Sequence, residues 1–189
     1  MVLDLDDPRV LVCGGRTYRS TATVHEVLDR LLKRYGTRLV VIEGADKGAD
    51  EAAHHWCELR GLGADRHLCQ PVNWEREKQV RPRSWRAAGP ERNTRMLSEE
   101  PQLVVAFHTW FRPGTGTGGT VDMTLKAVLA GVPVWLAPGQ DLNVGRWIRL
   151  QEFPHSRAAE AAKALRRAGL GDRLVADFDA DSAGKRTSR

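Results

Sequence analysis

The stretch Leu103-Val104-Val105-Ala106-Phe107 is followed by Gly114-Thr115-Gly116-Thr117-Gly118-Gly119-Thr120 and then by an amphipathic segment from Val121 to Ala130. The continuous apolar run predicts a buried parallel strand, and the amphipathic segment predicts a helix. A strand that ends in glycines and then opens a helix leaves backbone N–H groups free at the positive end of the helix dipole. Such a junction suits a phosphate or another anion.

A second junction of this kind lies near the start of the chain, where Val10-Leu11-Val12-Cys13 runs into Gly14-Gly15-Arg16. The Arg16 guanidinium can bind a phosphate or a carboxylate through two parallel hydrogen bonds. A bare turn is the alternative for these two glycines. For the later glycines the alternative is a mobile surface loop with a helix cap at Thr120.

Strands and helices alternate along the chain. Further strands are predicted at Leu39–Ile42, around Arg66–Cys69 and at Val132–Leu136. One helix is predicted from a capping box at Thr23 and Glu26 to Tyr35, and a second has Asp50 in its first turn and Leu59 facing inward. Two more are predicted around Arg92 and from His155 to Ala168. Residues 71–90 are predicted to be irregular. This alternation predicts an α/β fold, with a doubly wound, mostly parallel sheet of five or slightly more strands and helices on both faces.

In the usual order of such a sheet, the first and fourth strands are neighbours. Both glycine junctions would then meet at the carboxyl ends of these strands, where doubly wound folds bind their ligands. Asp46, Lys47 and Asp50 follow the second strand, where an acidic residue can bind ribose hydroxyls. Asp50 can equally well stabilise the start of a helix, and Arg92 and Asn93 can be either pocket residues or solvated ones.

Composition sets broader limits. The chain has 189 residues, a net charge of +5 and three cysteines without metal-binding spacing. Any disulfide scheme leaves one cysteine unpaired, which favours a reducing, cytoplasmic setting. The acidic N-terminus differs from a basic secretory signal, and no apolar run is long enough to cross a bilayer. We expect one domain over residues 1–138, a helical extension packing on it over residues 139–178, and a disordered tail over residues 179–189. The net charge favours anionic partners.

No metal site is predicted. His54 and His55 are adjacent on a predicted helix and point about 100° apart, which makes them a poor chelating pair. Asp50 and His54 share a helix face without an evident third ligand. No cofactor is predicted other than a nucleotide-like ligand.

Basic residues crowd the segment 76–95, close to Trp74 and Trp85. Aromatic platforms within a basic segment are typical of proteins that bind single-stranded nucleic acid. The alternative is an exposed, positively charged loop.

Five blocks of sequence carry a family resemblance: V-L-V-C-G-G-R-T at 10–17, E-G-A-D-K-G-A-D at 43–50, Trp74, A-G-P-E-R-N-T-R-M at 88–96 and T-G-G-T-V-D-M at 117–123. Together, over roughly residues 9–138, they resemble the YspA-type, cpYpsA-related SLOG family. The resemblance implies a Rossmann-like fold that binds a nucleotide or a nucleotide-derived small molecule, and related folds often form homo-oligomers. It places these residues around the pocket: Gly14, Gly15, Arg16, Gly44, Asp46, Gly48, Asp50, Arg92, Asn93, Gly118, Gly119, Thr120 and Asp122.

The wider superfamily includes the LOG phosphoribohydrolases, which split nucleoside monophosphates, and the DNA-processing protein DprA, which binds single-stranded DNA. Both activities are alternatives to simple nucleotide binding or sensing. The LOG pattern P-G-G-x-G-T-x-x-E aligns its Gly-Thr with Gly119 and Thr120, which puts Met123 where the catalytic glutamate would stand. Asp122 and Asp50 are the candidate catalytic carboxylates for such an enzyme, whereas Gly116 and Thr117 remain candidate ligand-binding residues.

Overall fold

The computed structural model describes residues 7–175. Its strands are β1 (Arg9–Gly14), β2 (Val40–Glu43), β3 (His67–Cys69), β4 (Leu103–Phe107), β5 (Val134–Ala137) and β6 (Arg146–Trp147). Its helices are α1 (Thr21–Tyr35), α2 (Ala49–Leu59), α3 (Trp74–Val80), α4 (Ala88–Ser98), α5 (Gly119–Leu129) and α6 (His155–Arg167). Within this part of the chain, every helix is too short or too polar to span a membrane.

The strands form one sheet in the order β3-β2-β1-β4-β5-β6. The first five strands run parallel, whereas β6 pairs antiparallel with β5. β1 and β4 are neighbours, and their register pairs Gly14 with Phe107. The predicted α/β fold is therefore confirmed, with six strands. The chain moves outward from β1 in one direction and from β4 in the other, which opens a crevice at the carboxyl ends of these two strands.

Helices cover both faces of the sheet because the strands are apolar on both sides. Val10, Val12 and Val41 pack with α1 and α2 in one core cluster. Leu11 and Val104 belong to the other cluster, together with apolar residues of α4, α5 and α6. The segment 139–175 shares this second core through residues such as Ile148, Phe153 and Leu165. The predicted tail at 179–189 lies outside the described residues.

Two details of the helices differ from the predictions. α1 begins at Thr21 with Ser20 at its N-cap, and the Ser20 hydroxyl lies 2.6 Å from the Thr23 hydroxyl. The capping box of Thr23 and Glu26 is therefore wrong, because Thr23 already lies inside the helix. Leu59, expected to face inward, is 66% exposed since it is the last residue of α2.

The prediction of irregular structure over residues 71–90 is also wrong. This segment contains α3 and a 3₁₀ turn at Trp85–Ala87. The Asn73 side chain caps α3 by accepting a hydrogen bond from the Arg76 N–H at 3.0 Å. A seven-residue helix is too short to show a clear apolar period, because only two turns are present.

Candidate functional site

A cavity of about 550 Å³ opens at the carboxyl ends of β1 and β4, and we call it the switch-point cavity. Gly14, Gly15 and Arg16 line one side of it, directly after β1. Residues 117–120, at the start of α5, line another side. Trp74 and Trp85 also line the cavity and add aromatic surface to its wall. The two glycine junctions, more than 100 residues apart in sequence, thus border one cavity.

The start of α5 presents backbone N–H groups at this cavity. Gly118 is the N-cap residue, with a φ of 115° that an L side chain rarely adopts. The first helical hydrogen bond runs from the Asp122 N–H to the Gly118 carbonyl at 3.1 Å. The N–H groups of residues 119–121 precede this bond and have no partner within the helix. Apart from the adjoining residues and the backbone of α5 itself, no atom of residues 7–175 lies within 4 Å of the position that a Cβ on Gly119 would occupy, so the backbone is open there.

Arg16 extends its guanidinium at the mouth of the cavity. The Arg16 side chain is 61% exposed, and its Nε and Nη2 donate to Asp46 Oδ2 at 3.2 and 2.9 Å. The guanidinium carbon also lies 5.6 Å from the centre of the Trp74 ring. Asp46 and Trp74 therefore orient a cation that an anionic ligand can reach.

A buried polar group lies under this entrance. Arg92 is only 6% exposed, and its Nη1 donates to the Gly44 carbonyl at 2.7 Å. The Gly44 N–H donates in turn to Asp50 Oδ2 at 3.2 Å. Arg92 Nε is buried without a hydrogen-bond partner among residues 7–175. A buried donor without an acceptor is costly, and this one belongs to a residue that lines the cavity.

Asp50 is the most perturbed carboxyl group of the cavity. It is 3% exposed, and burial raises its pKa to about 7, with smaller contributions from the charges of Glu43 and Asp46. The nearby Arg92 guanidinium acts in the opposite direction and lowers this pKa. Asp50 therefore exchanges its proton near neutral pH. A carboxyl group of this kind can serve as a general acid or base.

Asp122 has a different environment. Its Oδ2 accepts hydrogen bonds from Asn93 Nδ2 at 2.8 Å and from Lys126 Nζ at 2.9 Å. Asn93 also donates to the Gly119 carbonyl at 3.0 Å, and Lys126 donates to the Pro90 carbonyl at 2.8 Å. These bonds fix the start of α5 against α4. Asp122 and Asn93 therefore border the cavity and also position its backbone amides.

The structure separates the predicted site residues into two groups. The larger group lines the cavity: Gly14, Gly15, Arg16, Asp46, Asp50, Arg92, Asn93, Thr117, Gly118, Gly119, Thr120 and Asp122. Gly44, Lys47, Gly48 and Gly116 are not among the residues that line it. Gly44 lies behind Arg92 and Asp50, where any Cβ would overlap the guanidinium. Gly48 has a φ of 89° and packs so closely on the Gly15 carbonyl that a Cβ would overlap it.

Gly116 supports the glycine loop from outside the cavity. Its N–H donates to the Arg112 carbonyl at 2.6 Å, and its own carbonyl accepts a hydrogen bond from Arg157 Nη1 on α6. A Cβ on Gly116 would overlap the Arg112 carbonyl. The loop before α5 is thus held by α6, a contact that local sequence does not reveal.

Sequence reasoning missed several residues of the cavity wall: Cys13, Arg86, Gly89, Pro90, Met96 and His108. His108 follows β4 directly, and this position at the carboxyl end of the strand could have identified it as a cavity residue. Burial lowers the pKa of His108. Its Nδ1 accepts a hydrogen bond from the Trp110 N–H at 3.1 Å, so Nε2 carries the ring proton.

Part of the basic segment 76–95 is paired with neighbouring acidic or aromatic groups. Arg81 forms ion pairs with Glu77 and Glu91, and Lys78 pairs with Glu75 at 2.7 Å. The Arg86 guanidinium lies 4.5 Å from the centre of the Trp85 ring. Trp74 and Trp85 meet edge to face, with ring centroids 6.0 Å apart. These contacts offset part of the positive charge that would otherwise attract the phosphates of a nucleic acid.

A second cluster of chemically active side chains lies beside the cavity, at the edge of the sheet. Glu43, His54, His67 and Cys69 each offer one potential metal ligand, and these four atoms lie within 4.8 Å of one another. Sequence reasoning considered His54 only with its chain neighbours. Glu43 lies on β2, and His67 and Cys69 lie on β3, so nothing in the sequence groups them with His54 on α2.

Comparison with known proteins adds independent information. The sequence profile of the YspA, cpYpsA-related SLOG family matches residues 8–76, which contain β1, α1, β2, α2 and β3. The Gene 61 protein of Mycobacterium phage D29 is 30% identical over 131 residues, which cover 67% of this chain and 93% of that protein. No solved structure matches the chain significantly.

Proposed function

The chain belongs to the YspA, cpYpsA-related SLOG family, and from this membership and the switch-point cavity we propose that it binds a nucleotide or a nucleotide-derived small molecule. The observation that carries the proposal is the convergence of two glycine junctions on one cavity that also contains two tryptophan rings. Its volume of about 550 Å³ falls within the usual range for small-molecule sites, about 300–1,000 Å³.

The polar end of the ligand is assigned to the start of α5. Backbone N–H groups at residues 119–121 and the positive end of the helix dipole together favour a phosphate. Arg16 adds an exposed positive charge at the mouth of the cavity. Arg92 Nε supplies a buried donor that is still without an acceptor.

The aromatic end of the ligand is assigned to Trp74 and Trp85. Both rings line the cavity and are half-buried, so they retain surface for stacking with a base. Stacking of a base on an aromatic side chain contributes about 1–3 kcal/mol. Asp46 also lines the cavity and is the acidic residue that would accept hydrogen bonds from ribose hydroxyls.

Thermal unfolding of the full chain with a panel of ligands tests this proposal. The panel contains AMP, ADP, ADP-ribose and NAD⁺, with adenosine and inorganic phosphate as the separate halves of the ligand. A compound present at 100 times its Kd stabilises the folded state by about 2.7 kcal/mol. We expect a phosphorylated nucleoside to raise Tm more than either half. If no compound of the panel raises Tm, the proposal fails.

A second candidate function is cleavage of a nucleotide N-glycosidic bond, and the environment of Asp50 is the observation that favours it. With a pKa of about 7, Asp50 can protonate a leaving base while water attacks the anomeric carbon, by analogy with glycoside hydrolysis. Asp122 is the weaker candidate, because Asn93 and Lys126 already occupy its Oδ2. Base release from nucleoside monophosphates would be measured for the native chain, Asp50→Asn and Asp122→Asn. Release that survives Asp50→Asn, or no release at all, excludes this mechanism.

A further inference from the structure

We infer that Glu43, His54, His67 and Cys69 form a binding site for a divalent cation, with Zn²⁺ as the ion that fits best. The inference does not depend on the proposed ligand of the switch-point cavity. It rests on the placement, chemistry and burial of these four side chains.

Three elements bring the four ligands together. Glu43 ends β2 and is the register partner of Cys69 on β3. His67 precedes Cys69 by two residues, so both side chains project from the same face of the strand. α2 packs over this face and contributes His54. Three ligands therefore sit on paired strands and the fourth on a helix, which holds them more firmly than loops would.

The four ligand atoms are close enough together for a single ion to reach all of them after small side-chain shifts. All four lie within 4.8 Å of one another. Glu43 Oε1 is 2.9 Å from His54 Nδ1 and 2.8 Å from His67 Nε2. The Cys69 sulfur lies within the same 4.8 Å of the other three ligand atoms. The polar atoms thus converge on a common point instead of pointing to solvent.

The donor set favours Zn²⁺ over the hard cations. Two imidazoles, one thiolate and one carboxylate are ligands that Zn²⁺ accepts in tetrahedral geometry. Mg²⁺ and Ca²⁺ prefer oxygen ligands only. Four protein ligands close the coordination sphere, which is typical of a structural zinc site and leaves no position for substrate.

Burial and the surrounding groups support the same conclusion. The Glu43 side chain is fully buried, and the positive charge of a cation would offset the cost of burying its carboxylate. The His67 side chain is 11% exposed and that of His54 is 37% exposed, so an ion can enter past His54. His54 Nε2 lies 3.5 Å from Glu58 Oε1. A carboxylate behind a ligating histidine commonly orients the ring and increases its basicity.

Binding requires a defined transfer of protons. The Cys69 thiol loses its proton to solvent, so that sulfur binds as a thiolate. The ring nitrogens of His54 and His67 that face Glu43 give up any proton they hold, so that their lone pairs can reach the metal. For neutral His54, a proton on Nε2 then faces Glu58.

Cobalt substitution of the full, metal-free chain tests the inference. We expect one equivalent of Co²⁺ to bind, with a thiolate-to-cobalt charge-transfer band in the near ultraviolet, and one equivalent of Zn²⁺ to remove that band. Cys69→Ser should abolish the band. His67→Gln should weaken Zn²⁺ binding by more than the roughly 10–100-fold that loss of an outer-shell partner costs, and Glu58→Gln should weaken it by about that amount.

His55→Gln and Cys57→Ala are the matched controls. His55 adjoins His54 but is exposed, and Cys57 is a buried thiol of the same helix outside the ligand set. Both should bind Co²⁺ as the native chain does. Circular dichroism of the metal-free variants shows whether each one folds. Absence of the charge-transfer band in the native chain, or its persistence in a folded Cys69→Ser variant, would overturn the inference.

Discussion

Arg92 Nη1 on α4 donates a hydrogen bond of 2.7 Å to the carbonyl oxygen of Gly44, 48 residues earlier in the chain. This contact ties the loop after β2 to a helix on the other side of the cavity. The same loop carries Asp46, whose Oδ2 lies 3.8 Å from Arg92 Nη2. A single buried guanidinium thus holds the loop that contributes Asp46 to the cavity wall.

Replacement of Arg92 by methionine should destabilise the fold. The change removes a buried, charge-assisted hydrogen bond and leaves the Gly44 carbonyl without its donor, at a cost of about 3 kcal/mol in the free energy of unfolding. Arg95→Met is the matched control, since Arg95 is exposed on the same helix and should change stability by less than about 0.5 kcal/mol. Urea unfolding compares the two variants. Equal stabilities would show that the buried contact contributes nothing.

Gly119→Ala should weaken nucleotide binding without harming the fold. In the described part of the chain, a Cβ at Gly119 meets no atom within 4 Å beyond its own helix, so the fold tolerates it, but the methyl group enters space at a residue that lines the cavity. We expect the Kd of a stabilising nucleotide to rise at least about tenfold, a loss of about 1.4 kcal/mol. Gly139→Ala, which is equally free of neighbours within 4 Å and lies outside the cavity, should bind normally. Calorimetric titration measures both. An unchanged Kd for Gly119→Ala would remove the start of α5 from the binding site.

Asp50 should make stability fall as pH rises from about 4 to 7. Burial raises the pKa of Asp50 in the folded state to about 7, whereas the ordinary pKa of an aspartate is 3.8. Between these two values the folded state retains a proton that the unfolded state has lost, so each step up in pH favours unfolding. Above the folded-state pKa this contribution is constant.

The comparison of the native chain with Asp50→Asn isolates this effect from other titrating groups. Urea unfolding at intervals between pH 4 and pH 8 gives the free energy of unfolding of each protein. The difference in the free energy of unfolding between the two proteins should change from about pH 4 to pH 7 and stay constant above that range. A difference that stays constant across the window would show that Asp50 has an ordinary pKa.

Gly48→Ala should cost far more stability than Gly61→Ala. Both glycines have positive φ, 89° and 63°, so both substitutions introduce backbone strain of about 1–2 kcal/mol. At Gly48 the new Cβ would also overlap the Gly15 carbonyl. At Gly61, leaving aside its chain neighbours, a Cβ meets no atom within 4 Å among the residues that the structure describes. The overlap should add roughly 1–3 kcal/mol. Thermal unfolding that gives equal Tm losses for the two variants would contradict the close approach of these loops.

Most of the elements could be predicted from local sequence. The apolar runs gave β1, β2 and β4, and the helical stripe that ends at Gly36 gave α1. The alternation of these elements indicated a parallel sheet, because right-handed crossovers leave few other arrangements. α3 was missed, since a helix of two turns is fixed by its Asn73 cap and by its neighbours more than by its own period.

The candidate site was predictable only in part. Glycine-rich junctions between a strand and a helix are visible in the sequence, so Gly14 and Gly118 could be predicted to lie at the crevice. The structural roles of Gly44 and Gly48 could not be predicted, because each depends on a contact with a distant element. Gly44 packs against Arg92, and Gly48 packs against Gly15. The grouping of Glu43 with His54, His67 and Cys69 was missed for the same reason. His67 and Cys69 reach Glu43 only through the register of β2 with β3.

By itself, the sequence determined the α/β class, the strand ends at which glycines interrupt the chain, and the family. Those properties depend on residues close together in the chain, through apolar period, glycine conformation and short motifs. The tertiary structure decided which side chains share a cavity, which carboxyl group retains a proton near pH 7, and which histidine joins Glu43. These outcomes depend on strand register, crossovers and desolvation, which bring together atoms from separate parts of the chain.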